Sequence, residues 1–66
     1  MDKTHLMNAL ERAIRSEAEA RSFYLAAAGK TQDEGGADMF RQLAAFEKHH
    51  AERLSALKAS LDSDGS

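Results

Sequence analysis

Apolar residues recur at alternating steps of three and four along both halves of the chain, the spacing of one face of a helix that packs against other helices. Ionisable residues interrupt each row only at its middle. The pattern predicts an all-α chain of two long amphipathic helices. The second-half row is Phe40, Leu43, Glu47, His50, Leu54, Leu57 and Leu61, and the first-half row is Leu6, Leu10, Ala13, Glu17, Ala20, Tyr24 and Ala27.

Capping residues suggest where the two helices begin and end. Thr4 is a suitable N-cap and Gly29 a good C-terminal stop, so the first helix is expected over about 4–29. The segment Thr31–Glu34 resembles a capping box and opens a second helix over about 32–61. A connection this short makes the helices antiparallel neighbours in a hairpin.

The chain length allows one small domain. With 66 residues, the hairpin is expected to occupy 1–61, and the polar segment 62–66 is expected to be a disordered tail. Two helices alone make a poor core, and small chains usually compensate with disulfides, a metal or oligomerisation. The absence of cysteine excludes disulfides, thiolate zinc sites and iron–sulfur clusters. Metal binding and oligomerisation remain.

Charge and hydropathy argue against two classes of partner. The formal net charge is -2 and the charges are interspersed, so there is no basic patch for nucleic acid. The longest apolar run, 23–28, is too short to span a membrane, and the N-terminus lacks a signal-peptide pattern. A cytoplasmic location is expected, with the interior of a protein compartment as the alternative.

Glu17, Glu47 and His50 are the predicted metal ligands. A carboxylate or imidazole inside an apolar row needs a partner, and a metal ion supplies one. Counted outward from Thr31, the three residues lie 14, 16 and 19 positions away. At about 1.5 Å per residue, their heights in a hairpin differ by roughly 3 to 8 Å, so they converge. The alternatives are a polar residue that fixes helix register at Glu17, and a structural ion pair between Glu47 and His50.

One hairpin supplies too few ligands and leaves its apolar rows uncovered. A twofold homodimer solves both problems, because it makes a four-helix bundle and brings four carboxylates and two imidazoles to one centre. Such ligands suit divalent iron or manganese, and two ions balance the four carboxylate charges. Two iron ions per dimer are therefore expected, although manganese or zinc fits similar ligands. The assembly beyond a dimer is left open.

Other candidate residues have weaker claims. Tyr24 follows Glu17 by seven residues on the same row, so its hydroxyl is either a hydrogen-bond donor to a ligand carboxylate or part of an ordinary core aromatic. His49 and His5 are expected to be solvated, and Phe46 is expected to pack without a chemical role.

The segments 13–24 and 40–50 together resemble the first two helices of rubrerythrins and other ferritin-like di-iron proteins. The resemblance extends over roughly 6–61. It implies a ferroxidase-type function, in which Fe(II) is oxidised by dioxygen or peroxide between two chains, with iron storage as a purpose. A rubrerythrin-like peroxidase that uses an external electron donor and a structural dimerisation hairpin are the alternatives.

The chain also departs from typical members of the family that it resembles. Typical rubrerythrins carry four helices in one chain and often a cysteine-ligated rubredoxin domain. The half-length chain is more similar to encapsulated ferritins, which complete their centre at a subunit interface and dock inside an encapsulin shell. Residues 62–66 hold no apolar docking motif, so the sequence does not support association with a shell.

Overall fold

The protein is an antiparallel hairpin of two helices, described by a computed structural model over residues 2–64. Helix α1 spans Lys3–Lys30 and helix α2 spans Glu34–Asp64. The described chain measures 50 × 15 × 14 Å and contains no strand in residues 2–64. The prediction of an all-α two-helix hairpin is confirmed, whereas dimerisation stays a prediction.

Helix α1 begins two residues earlier than the predicted cap implied. The N-cap is Asp2, whose Oδ1 accepts a hydrogen bond from the backbone N–H of His5 at 2.9 Å. Thr4 lies inside the first turn, so its assignment as the N-cap was wrong. Aspartate satisfies the free N–H groups of a first turn as well as threonine does, and it lies further upstream.

The C-terminal end of α1 is set by Thr31 instead of Gly29. The helix continues through Gly29 to Lys30, and no glycine in residues 2–64 has a positive φ. The Thr31 hydroxyl donates a hydrogen bond to the carbonyl of Ala27 at 2.6 Å, which satisfies one of the last free carbonyl groups. The side chain of Thr31 therefore caps the C-terminal end of α1, the role that was expected of Gly29.

Asp33 begins α2. Its Oδ2 accepts a hydrogen bond from the N–H of Gly36 at 2.8 Å, and its carbonyl accepts one from the N–H of Ala37 at 2.9 Å. The capping box predicted from Thr31 was therefore wrong, since Thr31 closes α1 and Asp33 takes the N-cap role. The cap holds Gly35 and Gly36 in the first helical turn despite their poor helix propensity.

Helix α2 runs three residues past its predicted end. Asp62, Ser63 and Asp64 are helical, so the prediction of a disordered tail was wrong for this part of 62–66. These residues contain no glycine or proline, and the helix continues because nothing in them stops it. The rest of the predicted tail, 65–66, lies outside the described residues.

The core between the helices is small. The buried side chains are Leu10, Ala28, Ala37 and Ala44. Every member of the predicted α1 row is buried or half-buried. In α2, Leu43 and Leu57 are 37% and 47% exposed, because α1 packs on the alanine side of the helix. Neither helix of the described chain is long and apolar enough to cross a membrane.

Candidate metal centre

Glu17, Glu47 and His50 come together in the middle of the hairpin. Each offers one ligand atom, and these three atoms lie within 4.8 Å of one another. Glu17 comes from α1 and the other two from α2, where a spacing of three residues places them on neighbouring rows of one face. The convergence predicted from residue counting is present in the structure.

The His50 ring is held from two sides. Its Nδ1 lies 3.3 Å from Oε2 of Glu17, a contact in which the imidazole N–H donates to the carboxylate. The ring of Phe46, one turn earlier, lies edge-on to the imidazole with centroids 4.4 Å apart. Phe46 therefore orients the side chain of a predicted ligand, in addition to the packing expected from its sequence position. The i, i+4 spacing was the available signal.

Two carboxylates lie side by side in this cluster. A side-chain hydrogen bond with Glu17 raises the pKa of Glu47 above its ordinary value of 4.5; desolvation and the charge of Glu17 raise it further, and His50 acts in the opposite direction. Like charges so close disfavour each other's ionised form. A cation placed between them would relieve this repulsion.

The three groups are half-buried in the single chain. The Glu17 and His50 side chains are 23% and 41% exposed. The cluster opens on both sides of the hairpin, because two helices cannot surround a site. Arg53, Leu54 and Leu57 line one opening together with Glu17 and His50. The opposite opening is lined by Glu17, Glu47, Arg21, Lys48 and neighbouring residues.

The arginines at these openings were not singled out from the sequence. Arg21 and Arg53 lie one on each helix, at opposite openings of the cluster. Isolated basic residues on a helix are usually solvated, so the sequence held no signal that distinguished them. Their charges favour anionic groups near the two openings.

The remaining candidates lie away from the cluster. The Tyr24 ring stacks on Phe40 across the hairpin with centroids 6.3 Å apart, and within residues 2–64 its hydroxyl makes no hydrogen bond with the three ligands. The structure therefore places Tyr24 in the packing between helices. His49 and His5 are exposed, as expected, and lie 3.7 Å and 3.6 Å from Glu52 and Asp2 respectively.

The donor set fits a divalent metal ion. Bonds of about 2.1 Å, as first-row metals make to nitrogen and oxygen, place two ligand atoms of one ion at most about 4.2 Å apart. Ligand atoms spread over up to 4.8 Å reach such positions by small side-chain rotations. Two carboxylates and one imidazole are typical ligands of iron or manganese in the divalent state. They leave coordination positions unfilled by this chain.

A helical hairpin with a Glu-x-x-His pair on one helix and a facing glutamate on the other is the arrangement found in ferritin-like metal-binding proteins. A comparison with family models matches the Rubrerythrin family over residues 8–66. The chain belongs to the rubrerythrin family, whose members are ferritin-like, iron-binding proteins. Comparisons with curated proteins and with solved structures found no match.

Proposed function

We propose that the protein is a ferroxidase whose di-iron centre forms between two copies of the chain. Each copy contributes Glu17, Glu47 and His50, and Fe(II) bound there is oxidised by dioxygen or peroxide. The dimer then holds two iron ions, one per chain. The oxidised iron is passed to a mineral store.

The observation that carries the proposal is the convergence of two carboxylates and one imidazole within 4.8 Å at the middle of the hairpin. These donors come from separate helices, so the fold itself assembles them. The membership of the rubrerythrin family supports iron as the metal. Three donors per chain fall short of two filled coordination shells, which supports a shared centre.

Each residue has a defined task in this scheme. The carboxylate of Glu47 would neutralise part of the charge of the cation. His50 would supply an imidazole nitrogen, while the Phe46 ring limits the orientations the imidazole can adopt. Glu17 supplies the oxygen that faces the other two ligands. Bound iron supplies electrons to the oxidant.

Iron binding by the wild type and by Glu47→Ala tests the ligand assignment. The variant is expected to bind Fe(II) at least about 100-fold more weakly, since it loses one of three donors and unbalances the charge of the site. Glu52→Ala is the matched control, because Glu52 is exposed on the same helix and pairs with His49. Equal iron content in the wild type and Glu47→Ala would contradict the assignment.

Oxygen and peroxide consumption separates the activities. A ferroxidase consumes oxidant when Fe(II) is added and needs fresh Fe(II) for each further turnover. Turnover of peroxide that depends on an added reductant would instead assign a rubrerythrin-like peroxidase. A chain that binds iron but consumes neither oxidant would refute the proposed activity while leaving the metal site intact.

A further inference from the structure

We propose that a second copy of the chain docks antiparallel on the apolar face of α2, with the two His50 residues at the same height. This inference rests on the proposed function for the need of a second chain, and it adds the surface and the register. The surface, here named the His50 face, consists of Met39, Leu43, Phe46, His50, Leu54, Leu57 and Leu61.

The His50 face is a continuous apolar surface. At about 100° per residue, its six apolar members all lie within about 40° of the direction of His50 around the helix. No other residue between 39 and 61 falls in this arc, so it contains no lysine, arginine, aspartate or glutamate. Met39, Phe46 and Leu57 are 63%, 60% and 47% exposed in the single chain. An apolar row this long is unusual on a surface that faces water.

The order of residues along the His50 face is the same in both directions. Apolar residues lie four, seven and eleven positions before His50, and again four, seven and eleven positions after it. An antiparallel twofold copy centred on His50 therefore pairs apolar with apolar at every position. Leu43 meets the partner's Leu57, Phe46 meets the partner's Leu54, and Met39 meets the partner's Leu61. Self-complementarity of this kind is what a twofold interface requires.

The His50 face points away from the buried contact with α1, which it meets at His50. Ala37 and Ala44, which are buried against α1, lie about 120° or more around the helix from His50. Helix α2 thus has two apolar surfaces that face different neighbours. A helix in a four-helix bundle contacts two adjacent helices in this way. One of the two neighbours is α1, and within residues 2–64 most of the second surface is covered by no other element.

Helix α1 carries a matching row. Ala9, Ala13, Ser16, Ala20, Phe23 and Ala27 follow steps of four and three, and they are symmetric about position 18. Right-handed antiparallel helices place this row on the same side of the hairpin as the His50 face. Its centre lies at the level of Glu17, whose carboxylate contacts His50. The symmetric rows of the two helices are therefore both centred near the predicted metal ligands.

A charged groove lies on the other side of the hairpin. Lys58 and Glu11 form an ion pair there at 3.5 Å, and they line a groove with Arg15 and Asp62. A face of about 50 × 15 Å, the length and width of the hairpin, measures roughly 750 Å². A stable interface buries about 800 Å² per partner. The apolar side of one hairpin is therefore close in size to the surface that a stable interface buries on each partner.

Cysteine cross-linking of the metal-free protein tests the register, and the natural chain has no cysteine to interfere. In Leu43→Cys/Leu57→Cys, mild oxidation is expected to link two chains almost quantitatively. The two positions lie about 21 Å apart within one chain, so an intrachain disulfide cannot form. Leu43→Cys alone and Leu57→Cys alone are the controls and are expected to give little cross-linked dimer. Far-UV circular dichroism checks that each variant is helical.

Efficient cross-linking of either single variant would overturn the proposal, because it indicates a parallel or shifted pairing. A monomeric mass for the unmodified chain in sedimentation would overturn it as well. If the double variant is not helical, Phe46→Cys/Leu54→Cys tests the same register at the next pair. Cross-linking needs no iron. If the chains cross-link as expected but the protein has no ferroxidase activity, the proposed function is refuted and the proposed register stands.

Discussion

The two faces of the hairpin differ in what they leave exposed. One side presents Leu57, Phe46 and Met39 around His50, whereas the other presents charged side chains such as Glu11 and Lys58. Both faces border the same cluster of ligands. The difference teaches that one side of the hairpin leaves apolar side chains exposed, as the proposed dimer requires, and that two helices bring three candidate ligands together without enclosing them.

A charge on the apolar side should have the largest effect. Leu57→Glu introduces a carboxylate into the proposed apolar interface twice per dimer, where burial of the charge is unfavourable. We expect the dimer dissociation constant to rise at least about 100-fold in analytical ultracentrifugation. Ala59→Glu, on the charged side, is the control and should leave association unchanged. A similar rise of the dissociation constant in both variants would contradict the assignment of the interface to the apolar side.

Removing the cap of α2 should lower the stability of the hairpin without changing how its two faces are used. Asp33→Ala deletes the acceptor for the N–H of Gly36, and loss of an N-cap costs about 1 kcal/mol. We expect a lower midpoint in thermal unfolding, with the same cross-linking pattern as the parent. Asp38→Ala is the matched control, because Asp38 is exposed and pairs only with Arg41 at the helix surface. A changed register in Asp33→Ala would show that the turn, and not the His50 face, sets the pairing.

The smallest expected effect is on the pH dependence of the metal-free protein. Because the folded-state pKa of Glu47 is raised, its protonated form stabilises the fold below about pH 4.5, and this stabilisation is lost as pH rises through the folded-state pKa. Glu47→Gln should therefore be more stable than the wild type at pH 7, with a difference that shrinks toward pH 4. Thermal unfolding across this range measures it. Glu19→Gln is the control, because it removes an exposed carboxylate on the other helix, α1. The same pH dependence of stability in Glu19→Gln would indicate an effect of net charge.

Much of the fold was predictable because periodicity alone defines it. The three-and-four spacing gave two helices, and counting from Thr31 brought Glu17, Glu47 and His50 to one level. The helix ends were less predictable, since Asp2 and Asp33 are as good caps as Thr4 and Thr31, and only the folded geometry selects between them.

The details of the site were harder to predict from the sequence. The edge-on contact between Phe46 and His50 depends on side-chain rotamers, which residue spacing does not specify. The stacking of Tyr24 on Phe40 could not be predicted for the same reason, and it places the tyrosine between the helices. The exposure of Leu43 and Leu57 follows from small alanines on the α1 side, which let the helices approach closely there.

Anaerobic Fe(II) titration followed by native mass spectrometry tests the central claim most directly. A centre shared by two chains predicts that iron binds to the dimer alone, saturates at two ions per dimer, and stays unbound in Leu57→Glu at concentrations where that variant is monomeric. Iron bound with equal affinity by monomeric Leu57→Glu would contradict the account, because the three ligands of one hairpin would then suffice.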